Sequence, residues 1–236
     1  MLSVNELEDK LIDLAFSEDI GDGDHTTLCC IPENAMGKSH LLIKEDGILA
    51  GVEVAKKVFA RFDPEMQVEV LMGDGTPVKK GDIAMIVTGK IRSLLQTERL
   101  MLNIMQRMSG IATMTGKYVE LLKGTKTRVL DTRKTTPGLR MLEKQAVKIG
   151  GGTNHRIGLF DMILLKDNHI DFAGGIPNAI NRCHEYLKQK GLDLKIEIEV
   201  RNFDELNQVL ECGGVDRIML DNFTVEDTKK AVDIIA

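Results

Sequence analysis

The sequence is poor in several features that mark special classes of protein. Its 236 residues contain no tryptophan, and only 4% of them are aromatic. No apolar run reaches the roughly 18 residues that a membrane-spanning helix needs. The N-terminal stretch is acidic and amphipathic, without the basic start and apolar core of a secretory signal. The net charge of −5 argues against nucleic acid as the main partner. We therefore expect a globular protein of the cytoplasm that neither crosses a membrane nor binds nucleic acid.

Cysteine is also scarce. The four cysteines are Cys29, Cys30, Cys183 and Cys212, and no C-x-x-C pair occurs. Adjacent cysteines rarely fit the geometry of a disulfide, and the spacing of a zinc site is absent. We interpret all four as reduced thiols, most of them buried.

The first part of the chain mixes short helices with short strands. Ser3 and Glu6 have the spacing of a capping box and predict the start of a helix. A turn-rich stretch follows, from Gly21 to Pro32. Further predicted strands are 37–44, 47–51, 67–71 and 83–88, with helices at 52–62 and about 92–122. Strands grouped around helices indicate an α+β domain.

From residue 127 the pattern changes to alternating strands and helices. The predicted strands are 127–131, 162–166, 194–200 and 216–221. The predicted helices are 139–149, 176–189, 203–211 and 224–235. Four β-α units in a row imply parallel strands with crossover helices.

Polar residues follow every one of these strands. The runs are Asp131–Thr136, Lys166–His169, Glu199–Arg201 and Asp221–Asn222. Ligands of parallel α/β sheets meet the carboxyl ends of the strands, so this recurrence predicts a binding site there. Glu199 and Asp221 suit sugar hydroxyls or a magnesium ion that escorts phosphates.

The segment from Arg128 to Lys166 is basic within an acidic protein. It carries eight Lys/Arg against three Asp/Glu, which predicts a small polyanionic substrate. Lys144 and Lys148 stand four residues apart on a predicted helix, and we expect both to be solvated. Three consecutive glycines precede His155 and Arg156, and they predict either a flexible loop or a close approach of the backbone to a ligand.

Several of these positions keep a second interpretation. His155 suits a site or a hydrogen-bonded core histidine, and Arg133 and Arg156 suit a site or structural ion pairs. Glu197 and Glu199 point to the same side of an alternating strand, so either one can be the pocket residue. His169 is either a ligand or a loop cap.

Seven runs stand in a characteristic order along the chain. They are TERLMLN (97–103), SGIAT (109–113), DTRKTTPGLR (131–140), GGGTNHRIG (150–158), LKDNH (165–169), EIEV (197–200) and LDNF (220–223). Together they resemble the quinolinate phosphoribosyltransferases, also called nicotinate-nucleotide pyrophosphorylases (carboxylating). The resemblance runs along the whole chain.

The resemblance implies a fold and an activity. The fold is an N-terminal α/β sandwich domain (1–108, with the start of the long linking helix), followed by a partial α/β (TIM-like) barrel (109–236). The activity transfers phosphoribosyl from 5-phosphoribosyl-1-diphosphate to quinolinate with decarboxylation, which yields nicotinate mononucleotide, diphosphate and CO2 for NAD biosynthesis. Magnesium is the expected cofactor, and a homodimer or a hexamer (trimer of dimers) the expected assembly.

The resemblance also assigns roles to residues. The substrate-binding positions are Arg99, Thr132, Arg133, Lys134, His155, Arg156, Lys166, Glu199 and Asp221. Arg99 is expected to reach the site of a neighbouring subunit. Lys166, Glu199 and Asp221 are the expected catalytic positions, and Glu199 and Asp221 are also the expected metal positions.

Other functions remain open at this stage. A related pyrophosphorylase of the molybdenum-uptake type would change the acceptor, and a nicotinate phosphoribosyltransferase would need no second carboxylate site. A truncated fragment that only binds anions is a further alternative. The length suggests a barrel without its last strands, apparently truncated at its C-terminus, so we expect weak stability and little turnover if these residues are the whole protein.

Overall fold

A computed structural model describes residues 3–235, with the backbone alone for Val4 and Asn5. The chain divides into two compact units, one up to His155 and one from Arg156 onward. The domain division expected at 108/109 stays a prediction. Among the described residues, no helix is long and apolar enough to cross a membrane.

The first unit contains five helices and five strands within its described residues. In chain order they are α1 (Val4–Ile20), α2 (His25–Cys30), β1 (Met36–Leu42), β2 (Gly47–Ile48), α3 (Val52–Phe62), β3 (Gln67–Val70), β4 (Pro77–Val78), β5 (Ile83–Lys90), α4 (Ile91–Leu121) and α5 (Arg140–Ile149). The capping box of Ser3 and Glu6 is confirmed: the Ser3 amide donates to Glu6 Oε2 (2.6 Å), and the Glu6 amide donates to Ser3 Oγ (3.2 Å).

Two antiparallel sheets and the long helix α4 build this unit. Strands β1, β5 and β3 form one sheet in the order β1-β5-β3, and β2 pairs with β4. Helix α3 buries one apolar face, including Val54, Val58 and Phe59, in a core shared with α4 and β5. This part of the fold agrees with the predicted α+β domain.

The second unit carries a parallel sheet. Its elements are β6 (Ile163–Leu165), α6 (Asp167–Ala173), α7 (Ile176–Lys190), β7 (Ile196–Val200), α8 (Phe203–Cys212), β8 (Arg217–Leu220) and α9 (Val225–Ile235). The sheet order is β6-β7-β8, and both pairings are parallel. One face of the sheet, with Ile196, Ile198 and Val200, is buried in an apolar core with residues of helices α6 to α9.

The structure corrects four details of the sequence interpretation. Residues 127–131 form no strand, because within the described residues a single parallel bridge, between Leu130 and Thr153, pairs that segment. The turn-rich stretch at 21–32 contains helix α2, which Asp24 caps by accepting from the Thr27 amide (3.0 Å). Three cysteines are exposed and Cys183 is half-buried, although all four are free thiols as expected. Helix α6 was not predicted at all.

Candidate active site

The segment that follows Leu130 is held at its start by a buried carboxylate. Asp131 Oδ1 accepts from the backbone amide of His155 (2.8 Å) and forms an ion pair with Lys144 Nζ. Lys144 is only 1% exposed and Asp131 only 7%, so the expectation of a solvated Lys144 is wrong. Lys148, one turn further along α5, is exposed as expected. Asp131 is therefore an internal anchor of the fold.

A second anchor holds the other end of this segment. The Thr136 amide donates to Glu143 Oε2 (3.2 Å), and Arg107 Nη2 donates to Thr136 Oγ1 (2.6 Å). Arg107 also forms an ion pair with Glu143. Burial alone would raise the pKa of the Glu143 carboxyl, but hydrogen bonds from Arg107 and Thr136 outweigh it and hold that pKa below its usual 4.5. Glu143 is therefore ionised at neutral pH and fixes the Thr136 end.

Between these anchors lie three predicted substrate-binding residues. Thr132 and Lys134 are exposed, and the Lys134 amide donates to Thr132 Oγ1 (3.1 Å). Arg133 is half-buried, and no described residue supplies an acceptor to its buried Nε. A buried donor without an acceptor is rare in folded proteins and calls for a specific explanation.

The glycine run serves packing. A Cβ on Gly150 would collide with the Ala112 carbonyl of α4, and one on Gly152 would lie 2.7 Å from Val147 Cγ1 of α5. The glycines therefore let this segment press against both helices, which fixes the position of the residues that follow. The alternative of a flexible loop is not what the structure shows.

His155 and Arg99 occupy contrasting positions in the first unit. His155 is buried, its backbone carbonyl accepts from Lys144 Nζ (3.2 Å), and its amide is bound by Asp131. Arg99 is exposed on α4. The structure thus brings His155 next to the anchored start of the 131–136 segment.

In the second unit, two predicted catalytic residues are in direct contact. Lys166 Nζ lies 3.0 Å from Glu199 Oε1. The register explains this contact: Leu164 pairs with Glu197 across β6 and β7, so the next residues on the same face are Lys166 and Glu199. The face opposite the apolar core therefore presents charged groups at the carboxyl end of the sheet.

Glu197 shares that face but lies further from the strand end. It is buried, its register partner on β8 is Arg217, and Arg217 Nη1 lies 3.9 Å from Glu197 Oε2. Glu199 is the more accessible glutamate, with its neighbour Lys166 exposed. Of the two alternatives, the geometry favours Glu199 as the residue open to a ligand.

Asp221 follows strand β8 at the same end of the sheet. Its amide donates to the Val200 carbonyl (2.9 Å), and its Oδ2 accepts from Asn222 Nδ2 (3.0 Å). Asn222 has a φ of 58°, a left-handed conformation that asparagine tolerates better than most residues. Asn222 thus forms a bend directly after Asp221.

Two other predicted positions have local roles in this unit. His169 Nδ1 accepts from the Lys166 amide (3.0 Å), so this histidine caps α6. Arg156 is half-buried, and its Nη1 donates to the Met162 carbonyl (3.4 Å).

Within the described part of the chain, the acidic residues build no complete metal site of their own. Within residues 3–235, no group of three or more His, Cys, Asp or Glu side chains is arranged to hold a metal ion. Magnesium in phosphate-transfer sites commonly keeps several waters and uses one or two carboxylates plus substrate phosphates. Glu199 and Asp221, at the ends of neighbouring strands, fit that second kind of site.

Four residues that hold the site escaped the sequence interpretation. The segments that carry the predicted binding residues are fixed by Arg107, Glu143, Lys144 and Asn154, whose carboxamide nitrogen donates to Asp131 Oδ2. Lysine is almost never fully buried unless it is paired, and the partner of Lys144 lies thirteen residues earlier in the chain. No local pattern reveals such a pair.

Two family models match the chain side by side. The N-terminal domain of quinolinate phosphoribosyl transferase matches residues 24–109, and the C-terminal domain matches residues 111–236. Together they span both units.

Relatives and solved structures agree with these matches. A quinolinate phosphoribosyltransferase [decarboxylating] of Nicotiana tabacum is 47% identical over 91% of this chain and 63% of its own length. A probable nicotinate-nucleotide pyrophosphorylase [carboxylating] of Synechocystis is 41% identical over 93% of this chain and 72% of its own length. The crystal structure of NadC from Streptococcus pyogenes superposes with a TM-score of 0.91 at 39% identity, over 100% of this chain and 81% of its own.

The chain matches only part of the length of some relatives. The chain spans less than two thirds of the tobacco relative. The mixed α/β, two-domain structure matches that of the S. pyogenes protein. The chain belongs to the quinolinate phosphoribosyltransferase family.

Proposed function

We propose that this protein transfers phosphoribosyl from 5-phosphoribosyl-1-diphosphate to quinolinate, with loss of CO2, and so forms nicotinate mononucleotide and diphosphate for NAD biosynthesis. The tobacco and Synechocystis relatives are named for this reaction, which supports the proposal. The enzyme is then a pentosyltransferase.

One observation in the structure carries the proposal. The buried Nε of Arg133 has no acceptor among the described residues, although both ends of its segment are anchored. A buried donor that is kept unpaired on an anchored segment suits a ligand that supplies the acceptor. A guanidinium binds a carboxylate through parallel hydrogen bonds, and quinolinate offers two carboxylates.

The other basic residues complete the recognition of a dianion. We assign His155, Arg156, Lys134 and Thr132 to the quinolinate carboxylates and the adjoining phosphates. Arg99, exposed on α4, is assigned to the site of a second copy of the chain. This assignment requires a homodimer or a hexamer built from dimers.

The strand ends of the second unit are assigned to the phosphoribosyl donor. Glu199 and Asp221 accept from ribose hydroxyls, and they would hold a magnesium ion that neutralises the charge of the diphosphate. Lys166, which pairs with Glu199, is assigned to the reacting ring. This charged sheet face is the one that a partial α/β barrel turns inward.

The chemistry then depends on positioning and charge. As diphosphate leaves, the ribose carbon becomes oxocarbenium-like and the quinolinate nitrogen attacks it. The ring nitrogen is then positively charged, and this charge stabilises the carbanion left when CO2 departs. Lys166 delivers the proton that replaces the lost carboxylate. Lys166 acts here as an acid, and no residue needs to act as a dedicated base.

Two broader expectations remain proposals. We assign residues 1–108 to the sandwich domain and 109–236 to the barrel domain. We also keep the cytoplasm as the location, although the relatives include chloroplastic and mitochondrial proteins.

A direct assay tests the proposed function. The protein is mixed with quinolinate, 5-phosphoribosyl-1-diphosphate and magnesium, and nicotinate mononucleotide and CO2 are measured. We expect both products in equal amounts with quinolinate, and none when nicotinate replaces it. Product from nicotinate, or a folded protein without product, would contradict the proposal.

A further inference from the structure

The buried lysine of helix α5 does more than balance a charge. Lys144 Nζ pairs with Asp131 and also donates to the His155 carbonyl (3.2 Å). Asp131 Oδ1 in turn accepts from the His155 amide (2.8 Å). Both backbone polar groups of His155 are thus bound by one ion pair.

Asn154 closes this cluster. With its carboxamide nitrogen toward Asp131, it donates to Asp131 Oδ2 (2.8 Å) and to the Lys144 backbone carbonyl (2.8 Å). We call Asp131, Lys144, Asn154 and His155 the anchor cluster. It joins three segments: the start of the 131–136 loop, helix α5 and the segment after the glycine run.

In a regular parallel sheet, a ladder of backbone hydrogen bonds would hold these segments together. Here the side chains of the anchor cluster do so. The predicted strand at 127–131 is reduced to one bridge, between Leu130 and Thr153. Two backbone hydrogen bonds accompany it: the Asp131 amide donates to the Thr153 carbonyl (3.2 Å), and the Thr153 amide donates to the Val129 carbonyl (2.8 Å). Side chains of the anchor cluster therefore fix the position of the loop that lies beyond the bridge.

We propose that Lys144 and Asn154 are positioning residues for quinolinate, acting through Asp131 and His155. The inference rests on the proposed function, because it takes Arg133 and His155 as quinolinate-binding residues. Arg133 lies two residues after the anchored Asp131, and His155 is itself bound on both sides. A displacement of about 1 Å at a binding group can cost on the order of 100-fold in rate.

Helix α5 holds the far end of the same loop. Glu143, next to Lys144 in sequence, binds the Thr136 amide and pairs with Arg107. Consecutive residues of one helix thus fix both ends of the segment that carries Thr132, Arg133 and Lys134. Helix α5 fixes the conformation of the loop. A substitution that loosens this attachment should therefore weaken binding of the ligand that the loop holds.

The test compares variants of α5 and its neighbour. Asn154→Ala removes two hydrogen bonds but keeps the ion pair, so it is the variant expected to fold. Lys144→Met removes the ion pair, and Lys148→Met is the control because Lys148 is exposed four residues further along the same helix. The KM for quinolinate, the KM for 5-phosphoribosyl-1-diphosphate and kcat are measured for each.

We expect Asn154→Ala to raise the KM for quinolinate about tenfold, with the KM for the phosphoribosyl donor changed less than about twofold. Lys144→Met raises the quinolinate KM further if it folds. Amide hydrogen exchange of the 130–137 and 153–157 segments is measured in parallel, and we expect faster exchange in Asn154→Ala than in Lys148→Met.

The outcomes separate the two claims. A wild-type protein without product contradicts the proposed function itself. A wild type with product, and an Asn154→Ala variant that matches Lys148→Met in both KM values and in exchange, contradicts the positioning role alone. Equal loss for both substrates, or a loss of folded protein without a change in KM, also contradicts it, because that pattern belongs to a merely structural role.

Discussion

Two lysine–carboxylate pairs, one in each unit, have the same chemistry in different surroundings. In the first unit, the side chains of Lys144 and Asp131 are 1% and 7% exposed. In the second unit, those of Lys166 and Glu199 are 47% and 15% exposed. The first pair is enclosed by hydrogen bonds to the backbone, whereas the second lies at the open end of a sheet.

This difference assigns them different tasks. Removal of one partner of a buried ion pair strongly destabilises a protein, because the other charge then stays buried without a partner. A half-exposed pair contributes little to stability and exchanges readily with other ligands. The buried pair therefore maintains the shape of the first unit, whereas Lys166 of the second pair is open to solvent.

The largest effect is expected from breaking the buried pair. Lys144→Met should lower the free energy of unfolding by about 3–5 kcal/mol, because Asp131 then stays buried without its cation. Urea denaturation followed by circular dichroism measures this change. Lys148→Met, on the exposed side of the same helix, should stay within about 0.5 kcal/mol of the wild type. Equal stability of the two variants would show that the buried pair has no structural task.

Breaking the exposed pair should give the opposite pattern. Lys166→Met should change the free energy of unfolding by less than about 1 kcal/mol. Its kcat should nevertheless fall about 100-fold, because the proposed function assigns this charge to the reacting ring. The capping bond to His169 uses the Lys166 amide and is kept.

The control for this variant is Lys188→Met, since Lys188 is exposed on α7. It should retain wild-type kcat and stability. A Lys166→Met protein that loses stability but keeps its kcat would reverse the comparison between the two pairs.

A smaller, pH-dependent effect is expected at Glu143. The pKa of this carboxyl is lowered in the folded protein, so its stabilising contribution is complete above the usual value of 4.5 and is lost as the pH falls through the lowered pKa. Glu143→Gln should therefore cost about 1–2 kcal/mol at neutral pH, and the difference from wild type should shrink below pH 4.5.

Urea denaturation at pH 7 and at several values below pH 4.5 checks this prediction. Glu211→Gln, at an exposed position of α8, serves as the control and should show no such convergence. A constant difference between Glu143→Gln and wild type at every pH would rule out the ion pair with Arg107 as its cause.

The spacing of apolar residues predicts much of this fold, because the buried positions of a helix or a strand recur at the period of that element. The amphipathic pattern of α3 and the alternating glutamates of β7 each set one face against a core, and both elements appear where the sequence puts them. Helix α6 lacks such a pattern, since it has only seven residues and most of them are polar. The segment 127–131 has a strand-like composition, but only one bridge pairs it.

In the candidate site, too, some residues are predictable from the sequence pattern and others are not. Lys166 and Glu199 follow from the strand register, which the sequence pattern encodes. The buried state of Lys144 does not, because it depends on Asp131 and on the His155 carbonyl, both of which accept from Lys144 Nζ. Side-chain contacts between segments that are distant in the sequence produce no repeating pattern in it.

The most direct test of the central claim is a calorimetric titration of quinolinate into the wild type and into Arg133→Ala, with Lys148→Ala as the control. If the buried Arg133 donor receives a quinolinate carboxylate, Arg133→Ala should weaken quinolinate binding about 100-fold or more. Lys148→Ala should bind quinolinate as the wild type does. Unchanged affinity in a folded Arg133→Ala protein would contradict the account.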